Sequence, residues 1–127
     1  MTDQDAHLVT SSDMFEMEKE ILQNVASEDS CIIAGRSGFS VFKEHPNHLS
    51  IFIQAPLKHR IQRIMSKQNL SYEEAEKVIQ KVDSMREAYV QKFTGSSRYD
   101  SRNYDIVFNM EGKTEDEVVD LILQYIG

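Results

Sequence analysis

Tryptophan is absent from this 127-residue chain, cysteine occurs once, and proline and glycine together supply only seven positions. A single cysteine permits no disulfide within the chain, so an apolar core must hold the fold and a reducing compartment, the cytoplasm, is the expected location. Cys31 itself sits in the apolar run Ser30–Ala34, where a buried, inert thiol is expected. No apolar run approaches the roughly 20 residues that a membrane-spanning helix needs, and no N-terminal stretch reads as a signal peptide. Positive charge is also in deficit. Fourteen Lys and Arg against 21 Asp and Glu leave a net charge of −7, which excludes a broad nucleic-acid-binding surface and confines any anion site to a local cluster of cations. The four histidines fall at no metal-site spacing, and neither a G-x-S-x-G elbow nor a Cys–His constellation supports nucleophilic catalysis.

What is present fits one soluble globular domain: 40% of the residues are hydrophobic and 28% charged, with no repeat and no internal linker. A chain of this size buries roughly two-thirds of its unfolded surface, enough for a core without metal or disulfide. Residues 1–12 are polar and aperiodic and read as a mobile lead-in, leaving 13–127 as the domain. Asp13 with Glu16 has capping-box spacing, and Met14, Met17, Ile21, Leu22 and Val25 recur on one face of a helix over about 13–26. Cys31–Ala34 reads as a short strand buried on both sides, and Leu49–Gln54 and Tyr104–Asn109 as two further strands. Pro56 opens a helix that turns Leu57, Ile61, Ile64 and Met65 inward. Ser71 with Glu74 caps a long helix whose apolar face includes Ala75, Ile79, Met85, Tyr89 and Phe93. The aperiodic stretch Thr94–Asn103 reads as an exposed loop able to move, and Thr114 with Glu117 caps a final helix. Strands separated by helices call for parallel pairing, so the fold class is α/β, a parallel sheet of about three strands flanked by helices.

Three groups of residues can carry chemistry. Gly35-Arg36-Ser37-Gly38 follows the first expected strand, where open α/β sheets place ligands; Gly35 lets backbone approach closely and the Arg36 guanidinium can grip a phosphate bidentately. The same four residues also suit a plain turn with Arg36 in solvent. Arg60, Arg63 and Lys67, three and four apart, share one helical face, which is either an anion-binding stripe or a solvated surface. Asp83 and Arg86, with Lys81 nearby, can pair on the long helix, either to hold an anionic ligand or simply as a surface ion pair.

In order and at similar spacing, Cys31-Ile-Ile-Ala-Gly-Arg36, Phe52-Ile-Gln-Ala-Pro-Leu57 with Arg60 and Arg63, Leu70-Ser-Tyr-Glu-Glu-Ala75, Lys81-Val-Asp83 with Arg86 and Tyr89, Phe93-Thr-Gly95 and Asn103-Tyr-Asp-Ile-Val-Phe-Asn109 resemble the cytidylate kinase-like family. The resemblance covers about residues 13–127. It implies part of a P-loop, nucleoside-monophosphate kinase-like fold that transfers a phosphoryl group from ATP, with Mg2+, to CMP or a similar acceptor. By that resemblance Arg36, with Gly35, would bind the acceptor phosphate, Arg60 and Arg63 would neutralise transferring phosphates in or beside a closing lid, and Asp83 and Arg86 would hold the acceptor nucleotide. Ser37 stands where the family's kinases carry an acidic residue, which leaves the acceptor base open. The sequence contains no G-x-x-x-x-G-K-[ST], whose backbone and lysine cradle the donor phosphates. In the family that loop follows a strand lying between the counterparts of the first two strands expected here. Losing one preorganised donor group costs roughly 3 kcal/mol of transition-state stabilisation, so the chain alone is expected to be inactive as a kinase. Two roles stay open: a portion of a kinase completed by an upstream half, or a non-catalytic nucleotide-binding or interaction protein. The expected ligand is a small nucleotide, and the expected macromolecular partner is that upstream half or a second copy of the chain.

Overall fold

The computed structural model describes residues 10–35 and 37–127. Residues 1–9 of the expected lead-in, and Arg36, lie outside the described residues. The first helix, α1 (Ser11–Glu28), begins one turn earlier than the Asp13–Glu16 spacing implied. Thr10 has the extended backbone of an N-cap, its hydroxyl accepts from the Asp13 N–H at 3.0 Å, and the Asp13 carboxylate accepts from the Thr10 N–H at 3.1 Å. Two overlapping boxes share this spacing; the earlier one closes the same two end hydrogen bonds and gives the helix another turn, with Asp13 at its positive end.

After α1 the chain forms one short helical turn, α2 (Gly38–Val41), then β1 (Ile51–Gln54), α3 (Leu57–Gln68), α4 (Tyr72–Thr94), a 3-10 turn (Ser101–Asn103), β2 (Ile106–Asn109) and α5 (Glu115–Ile126). The boxes at Ser71–Glu74 and Thr114–Glu117 form as their spacing predicts. Asn69 ends α3 and Gly95 ends α4 in the left-handed conformation, φ 54° and 70°, the second of which glycine takes without a Cβ penalty. No helix among the described residues is long and apolar enough to cross a membrane.

β1 and β2 pair in parallel, Ile51 opposite Ile106 through Gln54 opposite Asn109. Ser50 and Asp105 fix this register just before the strands begin: the Ser50 N–H donates to the Asp105 carboxylate at 2.7 Å, and the Asp105 N–H donates to the Ser50 carbonyl at 2.8 Å. The α/β class with parallel pairing therefore holds, but the described residues form two strands rather than about three. Cys31–Ala34 is not a strand. Ile32 is 99% exposed, and Cys31, expected to be buried, is exposed as well. A strand exists only through a neighbour that takes up its N–H and C=O groups, and no described strand lies beside this run.

The best-packed region is the α3–α4 hairpin, where Ile61 and Ala75 have no exposed surface and Ile79 only 4%, with Ile64, Met65 and Leu70 against them. Phe15 of α1 stacks on Phe93 of α4 at 4.9 Å and meets Tyr89 edge-on. Met14, Met17, Ile21 and Val25, the face of α1 that periodicity turned inward, all remain exposed.

Candidate functional site

The expected cations do not gather as one helical stripe. Arg60 leaves α3 toward α4 and binds Asp83 through two parallel hydrogen bonds, 2.8 and 2.7 Å, the forked geometry that makes guanidinium–carboxylate pairs strong. Arg63 leans toward the start of α5, where its nearest carboxylate, Glu115, is 3.6 Å away and both side chains are exposed. The pair expected within α4, Asp83 with Arg86, gives way to this inter-helix one because a planar fork can meet both carboxylate oxygens at once. Arg86 remains exposed.

Asp83 is held below the usual carboxylate range, first by the hydrogen bonds from Arg60, against a smaller opposing effect of burial, and then by the charges of Arg60, Arg98 and Arg86. The Arg60 guanidinium is correspondingly pushed up. Because the folded carboxyl is the stronger acid, the pair's contribution is fully present above the unfolded pKa of about 3.9 and is lost as pH falls through the lower folded value. Asp83 is mostly buried but Arg60 is about a third exposed, so solvent screening limits the pair to about 1 kcal/mol. Denaturant unfolding of Asp83→Asn is expected to differ from the parent by about that amount at neutral pH, with the difference shrinking below about pH 4. An unchanged difference at low pH would contradict this assignment.

Arg98, which spacing did not single out, is the cation that the loop presents most deliberately. Its N–H donates to Glu87 Oε1 at 2.9 Å and its carbonyl accepts from the Tyr104 hydroxyl at 2.6 Å. The side chain lies over the Tyr99 ring at 5.2 Å. The loop expected to be exposed and free is thus tied down. Glu87 also accepts from the Ser97 hydroxyl, and Asn103 Nδ2 donates to Ser96 Oγ at 2.7 Å. These bonds hold the Glu87 carboxyl below its usual range, the Ser97 hydroxyl foremost, and burial raises the Tyr104 phenol.

Arg86 and Arg98 border an open cleft of about 1380 Å3 that Gly35 and Ser37 also line. Gly35 (φ 75°) and Ser37 (φ 54°) are both left-handed, and the Gly38 N–H closes a turn on the Gly35 carbonyl at 3.2 Å. Arg36, between them, is outside the described residues. The cleft's aromatic wall is Phe39, Phe52 and Tyr104; the Phe52 and Tyr104 rings stack at 4.9 Å and Phe39 lies 5.5 Å from Tyr104. Arg60 and Asp83 stand behind this border rather than in the lining, close enough that Arg86 and Arg98 act on the Asp83 charge. A cationic rim beside stackable rings suits a planar, anionic ligand.

The family model described as "Cytidylate kinase-like family" matches residues 2–112. The chain belongs to that family. A protein of Saccharolobus islandicus called cytidylate kinase is 32% identical over 111 residues, which are 87% of this chain and 58% of that protein. A cytidylate kinase of Sulfolobus acidocaldarius is 31% identical over 122 residues, 92% of this chain and 66% of that protein. In three dimensions the cytidylate kinase-like chain superposes on the crystal structure of an uncharacterized protein from Eubacterium ventriosum with a TM-score of 0.85 at 26% identity, covering 94% of this chain and 68% of the other. The chain thus spans roughly three-fifths to two-thirds of the length of these relatives.

Proposed function

We propose that this chain is the acceptor-binding part of a nucleoside-monophosphate phosphotransferase, taking CMP or a similar monophosphate in the cleft between the Gly35–Gly38 turn and α4. The observation that carries the reading is the pairing of two cations, Arg86 and Arg98, with an aromatic wall on one cleft. In it, the monophosphate lies against Arg86 and Arg98 and the base against Phe39, Phe52 and Tyr104; Arg36, outside the described residues, is assigned to the phosphate by the family resemblance alone. Phosphoryl transfer asks a protein mainly to position its reactants and to neutralise charge, which is work for arginines. Arg60 and Asp83 fix one another behind the cleft's border, and the lid role that the family resemblance implies for Arg63 would require that side chain to leave Glu115.

The donor side does not come from these residues. The sequence holds no G-x-x-x-x-G-K-[ST], and among the described residues no three His, Cys, Asp or Glu side chains stand close enough to share a metal ion. ATP and Mg2+, which the family's reaction uses, would be held by the part of a family-length protein for which this chain has no counterpart. The chain alone is accordingly proposed to bind the acceptor without turning it over, while the full reaction belongs to the remaining length of a family-sized protein. Calorimetric titration tests this: CMP or another nucleoside monophosphate is expected to bind with an affinity that falls as salt rises, and ATP to give no phosphoryl transfer with the chain by itself. Absence of binding by any nucleoside monophosphate would end the reading.

A further inference from the structure

A carboxylate stands where the charge of the cleft argues against one. Glu87 follows Arg86 on α4 and lies near enough to Arg98 that the Arg98 charge acts on it. An anion held by those two arginines would be repelled by it, so Coulomb's law alone makes Glu87 a cost to phosphate binding. Its side chain is nonetheless partly buried, and both of its oxygens are engaged by the loop that carries Arg98. Oε2 accepts from the Ser97 hydroxyl, and Oε1 accepts from the Arg98 N–H at 2.9 Å.

Helical geometry limits how Glu87 can act. Arg86 lines the cleft, whereas Glu87, about 100° further round α4, borders a separate hollow with Asp83, Gln91 and Tyr99. Any effect on a ligand in the cleft must therefore pass through the loop. The chain leaves α4 at Gly95 in the left-handed conformation and folds back along the helix, which brings Ser97 and Arg98 to Glu87. The Ser97 hydroxyl carries the grip one residue further, accepting from the Tyr99 N–H at 3.1 Å while it donates to Glu87. From the other side the Tyr104 hydroxyl holds the Arg98 carbonyl. The guanidinium itself is not neutralised: the ion pairs among the described residues are Arg60–Asp83, Arg63–Glu115 and Arg102–Asp100, and Arg98 is in none of them. Glu87 thus fixes the main chain beneath a cation and leaves its charged end to the cleft.

We propose that Glu87 is a positioning residue for the acceptor phosphate: by holding Ser97 and the Arg98 main chain against α4 it keeps the Arg98 guanidinium on the cleft border, and it raises monophosphate affinity despite its own charge. This role rests on the acceptor site proposed above. With one anchor fewer, Arg98 occupies its binding position for a smaller fraction of the time, and apparent affinity falls in proportion to that fraction. A loss transmitted in this way cannot exceed what removal of the guanidinium itself costs.

Calorimetric titration of Glu87→Ala with CMP and with cytidine tests the role. CMP is expected to bind about tenfold more weakly than to the parent chain, and cytidine, which has no phosphate for Arg98, within about twofold of it. Glu87→Gln is expected to recover most of the loss, since an amide oxygen still accepts from the Arg98 N–H. In an Arg98→Ala background Glu87→Ala is expected to cost nothing further, because the two residues then share one effect. The Arg98 N–H itself is expected to exchange at least about tenfold faster in Glu87→Ala. CMP binding that stays the same or tightens in Glu87→Ala would overturn the proposal, since only the residue's charge would then be felt. So would equal losses for cytidine and CMP, which mark a general loosening of the fold, or an undiminished further loss in the Arg98→Ala background. Absence of CMP binding by the parent chain removes the acceptor site and this role with it, whereas CMP binding that Glu87→Ala does not weaken removes this role alone.

Discussion

Truncating Ile61 to alanine is expected to lower the unfolding free energy by about 2–5 kcal/mol, because its side chain has no exposed surface and the α3–α4 hairpin cannot close over the cavity. Ile61 stands on α3 against Ala75 and Ile79 of α4, with Ile64, Met65 and Leu70 around them. Filling from the far side is blocked, since Ala75, also without exposed surface, has no side chain long enough to move into the space. A single domain commonly has only roughly 5–15 kcal/mol of stability, so this one change removes a large share of it. Ile61→Val, which removes one methyl group, should cost about 1 kcal/mol, and Leu57→Ala, whose parent residue is 44% exposed, less than Ile61→Ala. Urea denaturation of the three variants checks the order; a loss at Leu57 equal to that at Ile61 would mean that the core does not sit between α3 and α4.

What was legible in the sequence was what short-range chemistry decides. The boxes at Ser71–Glu74 and Thr114–Glu117 involve partners three residues apart, so spacing alone finds them. The same logic misplaced the start of α1 only because Thr10–Asp13 satisfies the spacing as well as Asp13–Glu16 does. Ile61, Ala75 and Ile79 were legible because two adjacent amphipathic helices cover one another. The failures lie where the partner is distant or missing. Cys31–Ala34 has the composition of a buried strand and lacks the neighbour that would make it one. The exposed faces at Met14, Met17, Ile21 and Val25, and at Met85 and Tyr89, fail in the same way, as their periodicity describes a cover that these residues do not supply.

The candidate site was half legible for a similar reason. Asp83, Arg60 and Arg86 stood out as charges on predicted helices, but helical spacing registers only neighbours on one helix, whereas Asp83 found Arg60 on another, 23 residues away. Arg98 was missed because it lies in an aperiodic stretch, where no face can be assigned. A usable signal was present nonetheless: Arg98-Tyr99 sits between the helix-ending Gly95 and the strand-forming run after Tyr104, where a side chain is held by its own main chain rather than by a helix.

Arg98→Ala is expected to weaken monophosphate binding by about thirtyfold, or about 2 kcal/mol, the worth of a charged hydrogen bond to a phosphate. The loop should survive the change. What ties residue 98 down is its main chain, the N–H to Glu87 and the carbonyl to the Tyr104 hydroxyl, and alanine keeps both. The loss therefore reports the guanidinium rather than a disordered segment. Arg102→Ala supplies the control within the same loop: Arg102 is already neutralised by Asp100 through contacts of 2.8 to 3.2 Å and is exposed, so its removal should leave binding within about twofold. Arg98→Lys should fall between the parent and Arg98→Ala, since an ammonium restores the charge without the fork. Calorimetry with CMP across a salt series would separate these cases, because losing a phosphate contact also flattens the salt dependence of binding. Equal losses from Arg98→Ala and Arg102→Ala would mean that the loop contributes only diffuse charge and that the phosphate sits elsewhere in the cleft.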